Sequence, residues 1–199
     1  MSGAFIVFEG ADGAGKSSLC KRVAEELTAK GIEVVLTAEP THEGIGAFIR
    51  SGGAGDISQR TEALLFVADR NDHTEKIKEM VSEGKVVLCD RYFASTVAYQ
   101  SAKLDGDASD REWLIGINRE FIDIPEAIIL LDIDPKVGMD RVGVRGEEIS
   151  KFERLDFQNQ VRENYLLLAK EFGFDVIDAS QTQDQVFAEA MEIVDKVIR

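Results

Sequence analysis

Basic residues are scarce in this chain. Among 199 residues, 23 Lys and Arg stand against 37 Asp and Glu, a formal net charge of -14, and nowhere do Lys and Arg form the run that counterion release from a nucleic-acid backbone requires. Nucleic acid is thereby excluded as a partner, and the acidic surplus reads as a solvated, self-repelling surface. Cysteine is nearly absent. Cys20 and Cys89 form no CxxC pair or Cys/His cluster and fall in apolar segments, which marks them as reduced core thiols. No stretch approaches the length of apolar residues a membrane span needs, and residues 1–8 lack the charged and apolar regions of a secretory leader. A cytoplasmic protein with no membrane partner is expected. Internal repeats, low-complexity tracts and linker composition are missing too, so residues 1–199 are expected to form a single domain.

With only three prolines, long helices are open to the chain. Short β-rich runs alternate with longer segments of helical pattern, the signature of a parallel sheet with helices on both faces. The strands predicted are Ala4–Glu9, Glu33–Thr37, Lys85–Asp90, Ala127–Asp132 and Phe174–Asp178. The helices predicted are Lys16–Lys30, Ser58–Ser82, Ser109–Phe121, Asn159–Phe172 and Gln183–Ile198, with Gly31 and Gly84 placed as left-handed caps. Two regions resist the pattern: Ala38–Gly55, rich in turn residues, and Asp140–Arg154, where charges crowd around Gly143 and Gly146. Loops that long inside a compact domain are usually functional.

Directly after the first strand comes Gly10-Ala11-Asp12-Gly13-Ala14-Gly15-Lys16-Ser17, a GxxxxGK[ST] loop between a strand and a helix. Its glycines let backbone N–H groups turn inward around phosphate oxygens, the helix adds its positive end, and Lys16 adds a charge. Ser17 would offer a hydroxyl to Mg²⁺. A nucleoside triphosphate ligand follows, without a choice between switch, motor and kinase. The guanine-reading [NT]KxD string is absent; its nearest approach, Ala102-Lys-Leu-Asp105, lacks the first residue.

A second site is indicated by Asp90-Arg91-Tyr92 at the end of the third strand, followed by Ser95, Thr96, Tyr99 and Gln100. An acid at that place completes a Mg²⁺ shell and an adjacent Arg suits a phosphate, although a helix-capping Asp-Arg pair is the competing reading. Phe66 and Arg70 lie four apart, on one helix face. They put a flat ring beside a forked donor, suited to stacking a base and bonding its edge; a core Phe beside a surface Arg has the same spacing. Residues 140–154 carry Arg141, Arg145, Lys151 and Arg154 among glycines and balancing acids. They read either as a cationic lid or as a solvated loop laced with ion pairs.

These strings, in this order, resemble thymidylate kinase in its archaeal and bacterial form. The resemblance runs from Phe8-Glu9 and the P-loop through Ala63–Arg70 and Asp90–Gln100 to Ile128–Pro135, Lys151–Phe157 and Arg162–Tyr165, nearly the whole chain. It implies the P-loop nucleoside monophosphate kinase fold, an α/β architecture with a five-stranded parallel sheet, flanking helices and a mobile lid, commonly as a homodimer. It also implies transfer of the γ-phosphoryl of ATP to dTMP. In that family's terms Asp12 faces the deoxyribose 3'-hydroxyl, Phe66 stacks on thymine and Arg70 donates to a base carbonyl. Arg91 holds the dTMP phosphate, Asp90 the magnesium shell, Tyr99 crowds the 2' position, and Thr96 and Gln100 line the same pocket.

Gly13 after Asp12 resembles members that supply the catalytic arginine from the lid, with Arg145 before Gly146 as the preferred residue and Arg141 and Arg154 as alternatives. Two departures stand out. Ala38 occupies the place where the family often has Arg before Glu-Pro, which leaves Arg50 as a possible substitute, and Pro125-Glu126 replaces Pro-Asp. Phosphorylation of dTMP is the expected reaction; a kinase of another pyrimidine monophosphate such as dUMP, and a nucleotide-dependent ATPase or regulator, are the alternatives.

Overall fold

The computed structural model describes residues 3–104, 108–143 and 148–198; within them the side chains of residues 108 and 148–153 are left aside. Five strands, β1 (Ala4–Gly10), β2 (Val34–Ala38), β3 (Val86–Asp90), β4 (Ala127–Asp132) and β5 (Asp175–Asp178), form one sheet in the order β2-β3-β1-β4-β5. Every pairing is parallel. The helices are α1 (Lys16–Ala29), α2 (Gly44–Arg50), α3 (Gln59–Ser82), α4 (Phe93–Lys103), α5 (Ala108–Arg119), α6 (Pro135–Val142), α7 (Glu148–Phe172) and α8 (Gln183–Val197).

The two-residue period of β1 divides the core. Ile6 and Phe8 face a layer built by α1 and α8, including Leu27, Val23 and Val194. Phe5 and Val7 face the other layer, where α3, α4, α5 and α7 contribute Ile77, Phe93, Leu114 and Tyr165. Both faces of the central strands β3, β1 and β4 are covered, which is why these three read as continuous apolar runs rather than alternating ones. The chain leaves β1 toward β2 and β3 on one side and later crosses to β4 and β5 on the other. The carboxyl end of β1 is thus the point where strand order reverses, the place such sheets bind ligands.

All five predicted strands and five of the eight helices are where the sequence pattern puts them. Gly31 and Gly84 have φ of 80° and 88°, and each closes its helix with paired backbone bonds: Gly31 N to Thr28 O with Ile32 N to Leu27 O, and Gly84 N to Val81 O with Lys85 N to Met80 O. Glu126, the departure from Pro-Asp, accepts from Phe5 N at 2.7 Å and so anchors the start of β1.

Three helices fall outside the predicted set, and α7 begins at Glu148 rather than near Asn159. α2 has only seven residues and no side-chain cap. α6 has a local signature, Asp134 accepting from Lys136 N, Pro135 in the first turn and Gly143 left-handed at the end, in a segment too short for periodicity to register. α4 is buried nearly all round, at Phe93, Ala94, Thr96, Val97, Ala98, Gln100 and Ser101, so it carries no amphipathic stripe.

Ile129 is fully buried at the middle of β4. Ile129→Ala should lower stability by about 3 kcal/mol, read as a lower urea midpoint at unchanged slope; an unchanged midpoint would remove this layer from the core.

Candidate active site

The loop between β1 and α1 takes its shape from glycines at positive φ. Gly13 (82°) and Gly15 (93°) turn the backbone, and Gly15 serves as the left-handed N-cap of α1. Lys16 folds back to donate to Ala11 O at 2.9 Å and is 6% exposed. Asp12 through Ser17 line a cavity of 710 Å³ together with Arg22, Arg91, Arg141 and the Gln181–Gln183 turn. Gly10 and Ala11, also expected around the phosphates, stand behind this surface: Gly10 ends β1, and Ala11 is buried and engages Lys16 through its carbonyl. Four basic side chains and one acid line the cavity, a positive pocket on an acidic protein.

A second cavity of 220 Å³ opens on the other side of Arg91. All seven residues expected at the acceptor site line it: Asp12, Phe66, Arg70, Arg91, Thr96, Tyr99 and Gln100. Phe66 is half-buried, leaving ring surface for stacking. Arg70 is 1% exposed, with its guanidinium held at 2.5 Å from Asn118 Oδ1, 2.8 Å from Thr96 Oγ1 and 2.6 Å from Glu39 Oε2. Arg70 Nε, Glu39 Oε2, Tyr99 Oη and Gln100 Oε1, all on residues that line this cavity, are buried without a hydrogen-bond partner among the described residues. Burial pushes the Tyr99 phenol up to about 12, so its hydroxyl stays protonated.

Asp12 and Arg91 line both cavities and pair with each other at 2.5 Å. Arg91 is the one non-glycine residue at positive φ among those described, 73°, a conformation that costs about 1–3 kcal/mol and persists only when its surroundings enforce it. Its N–H donates to Phe8 O at 2.9 Å, its side chain donates to Ser95 Oγ at 3.2 Å, and the guanidinium lies 5.1 Å from the Tyr99 ring centre. Beneath it the buried carboxylate of Glu9 accepts from Tyr92 N, Ser95 N, Ser95 Oγ and Tyr165 Oη at 2.8, 3.1, 2.6 and 3.1 Å.

Ser17 Oγ donates to Asp90 Oδ2, and Asp90 Oδ1 is buried with no hydrogen-bond partner among the described residues. Two adjacent hard oxygen donors of this kind would suit a Mg²⁺ ion. No cluster of three or more His, Cys, Asp or Glu suited to a metal occurs among the described residues. Ala38 faces a third cavity, of 440 Å³, beside this pair. Arg50 does not replace the missing arginine there: it donates to Pro40 O at 2.7 Å and Thr41 O at 3.2 Å, bracing the turn instead.

Arg145 lies outside the described residues. Of its alternatives, Arg154 is exposed, and Arg141 donates to Ala179 O at 3.1 Å and Gly13 O at 3.5 Å, forming a wall of the larger cavity. Sequence reasoning missed Glu9, Glu39, His73 and Asn118. Each acts through a contact distant in sequence, and only the buried charge of Glu9 directly before the P-loop was a usable signal.

Comparison with known proteins gives a consistent result. A family model described as thymidylate kinase matches residues 8–190. The chain is 42% identical to a probable thymidylate kinase of Thermococcus kodakarensis over 98% of both chains. It is 40% identical to one of Pyrococcus horikoshii, over 98% of this chain and 97% of the relative. It is also 40% identical to a thymidylate kinase of a Geobacillus species, over 94% of both.

Burial, with the nearby Arg91 charge adding to it, lowers the Lys16 ammonium to about 8. Below that pH the free protein presents a charged Lys16 to phosphate; above it the proton must be taken up on binding. Affinity for a nucleoside triphosphate at fixed ionic strength should therefore be flat toward pH 7 and fall above about pH 8, approaching tenfold per pH unit. Titration calorimetry would show it. Lys16→Met should bind weakly without that step, and a wild-type affinity constant up to about pH 9 would contradict the assignment.

Proposed function

The chain belongs to the thymidylate kinase family, and from that premise we propose that it phosphorylates dTMP to dTDP with ATP as phosphoryl donor. The observation that carries this reading is the shared wall: Asp12 and Arg91 line both the P-loop cavity and the cavity of Phe66 and Arg70. A switch or motor needs only the first cavity. A second one, ending at the same pair of charges, is what in-line transfer between two bound nucleotides requires.

The donor phosphates rest on the backbone of residues 12–17 with Lys16 beside them. In the acceptor cavity Phe66 stacks on the base, Arg70 donates to a base carbonyl, and Thr96 and Gln100 supply further polar contacts. Tyr99 limits room at the sugar's 2' position. Arg91 holds the acceptor phosphate while Asp12, paired to it, receives the 3'-hydroxyl and sets the distance between the two substrates. Ser17 and Asp90 hold the cation; Mg²⁺, when bound, neutralises charge on the outer phosphate oxygens. Arg145 supplies positive charge to the migrating phosphoryl group from the lid, residues 140–154. Arg70 facing a carbonyl suits thymine and uracil and disfavours adenine and cytosine, so dUMP is the competing acceptor.

The whole chain acts as one kinase domain, in the cytoplasm and as a homodimer. No helix among the described residues is long and apolar enough to cross a membrane. Exposed Phe48, Ile57 and Leu64, on and between the touching helices α2 and α3, offer apolar surface to a second copy.

ADP release should be slow with Mg·ATP alone and strongly stimulated by dTMP, less by dUMP, and little by ribo-TMP, AMP or CMP. Acceptor-independent hydrolysis would instead mark an ATPase or regulator. Arg145→Ala should lower kcat at least about a hundredfold while the dTMP dissociation constant stays within about threefold; equal losses in both would assign Arg145 to ground-state binding.

A further inference from the structure

Arg70, the residue read above as the donor to the base, is not held by its own helix. Its guanidinium sits between groups from three other parts of the chain: the hydrogen-bond acceptors Thr96 on α4 and Asn118 on α5, and the ion-pair partner Glu39 just after β2. Two of these are themselves fixed. Asn118 donates its amide to Leu114 O at 2.7 Å, which turns its oxygen toward Arg70. Glu39 Oε2 forms a buried ion pair with Arg70 Nη2 at 2.6 Å, without hydrogen-bond alignment, and Oε1 accepts from His73 Nδ1 at 2.9 Å. His73 Nε2 in turn lies 2.7 Å from Thr37 Oγ1.

The result is a continuous chain, Thr37–His73–Glu39–Arg70, in which the three charged or titratable members are less than 5% exposed. As a carboxylate, Glu39 can only accept, so Nδ1 of His73 carries the proton it receives. In the neutral ring Nε2 then accepts from the Thr37 hydroxyl. His73 lines the third cavity, beside Ala38, and not the acceptor cavity, whereas Glu39 and Arg70 line the acceptor cavity. The imidazole therefore does not touch the acceptor itself.

We infer that His73 is a positioning residue for acceptor specificity: by donating Nδ1–H to Glu39 it fixes the carboxylate that aims Arg70 at the base. Among the described residues Glu39 Oε1 has no side-chain donor other than His73 Nδ1. Two independent ties keep the rest of the segment in place, Asp69 accepting from Thr41 N and Thr41 Oγ1 at 2.7 and 2.6 Å and Glu39 N donating to Asp90 O at 3.1 Å. Removing the His73 bond therefore frees the Glu39 carboxylate without releasing its backbone. A freed carboxylate gives Arg70 more than one arrangement, and only some of them suit the bound base. This inference rests on the reading of Arg70 as the base donor.

Two substitutions at one position separate this role from simple packing. Asn places its amide nitrogen near the Nδ1 position and can still donate to Glu39; Gln reaches the Nε2 position and serves Thr37 instead. His73→Gln should raise the KM for dTMP and its calorimetric dissociation constant about tenfold, the loss expected for one hydrogen bond to a charged group. kcat and the KM for ATP should stay within about twofold, and His73→Asn should return dTMP affinity to within about threefold of the native value. Thr37→Val, which removes only the far end of the chain, should leave dTMP affinity intact, so the question survives even where a His73 variant folds poorly. Equal dTMP affinities for the Asn and Gln variants, or a weakening in Thr37→Val as large as in His73→Gln, would overturn the assignment. Arg70→Gln measured alongside tells the two readings apart: unchanged dTMP binding in that variant removes Arg70 from the base, whereas weakened binding with no Asn–Gln difference removes His73 alone.

Discussion

The structure turns on one carboxylate. Glu9 is fully buried at the end of β1, one residue before the phosphate loop begins. A buried acid is costly unless its oxygens are occupied, and here four hydrogen bonds occupy them, from Tyr92 N, Ser95 N, Ser95 Oγ and Tyr165 Oη. Burial pushes its pKa up; the Ser95 bond and the Arg91 charge pull the other way. Two of the donors are backbone groups opening α4, whose own N-cap residue, Tyr92, provides no side-chain cap. Glu9 is therefore the cap, delivered from another strand. It joins the donor loop, the acceptor helix and α7 at a single point, and it enforces the backbone turn in which Arg91 sits at positive φ. Arg91, which lines both cavities, is thus fixed relative to both.

Charge distribution follows from the same arrangement. A protein of net charge -14 repels polyanionic substrates at long range. Around the P-loop that sign is reversed by Lys16, Arg22, Arg91 and Arg141 against Asp12 alone. Burial in this cleft, with the Arg91 charge adding to it, makes the Lys16 ammonium expensive in the free protein, which is what its lowered pKa records. Bound phosphates relieve that strain. The acidic exterior and the basic cleft are therefore complementary: the first disfavours nucleic acid and other adventitious polyanions, and the second favours ligands small enough to enter.

How much of this was legible in the sequence depended on whether the signal was local. The sheet could be read because its central strands β3, β1 and β4 are buried and so appear as short apolar runs, and the phosphate loop because its spacing is dictated by backbone geometry. The α1 and α3 ends could be read from Gly31 and Gly84. α4 could not, since a helix buried all round has no stripe and its cap comes from Glu9, 83 residues before Tyr92. The seven residues Asp12, Phe66, Arg70, Arg91, Thr96, Tyr99 and Gln100 surfaced through spacing and motif resemblance and share one cavity, but what holds Arg70 was hidden. Glu39, His73 and Asn118 lie 31, 3 and 48 positions from it, and only folding shows that their polar atoms converge. Arg50 failed as a substitute for the absent arginine at position 38 because its guanidinium is already committed to the carbonyls of Pro40 and Thr41.

The glycine at position 13 connects the fold to the chemistry of transfer. A methyl group there would overlap the backbone of Gly138, and one on Gly138 would come within 2.6 Å of Asp12 O. α6 and the phosphate loop are thus pressed together, backbone against backbone, and φ of 82° at Gly13 disfavours any side chain independently of space. A basic residue after Asp12 is excluded on both counts. Arg141, at the end of α6, is committed to the carbonyls of Gly13 and Ala179, where it steadies the loop. The close approach of α6 consequently gives the phosphate loop a rigid backing, backbone against backbone, with Arg141 as a side-chain brace at its edge.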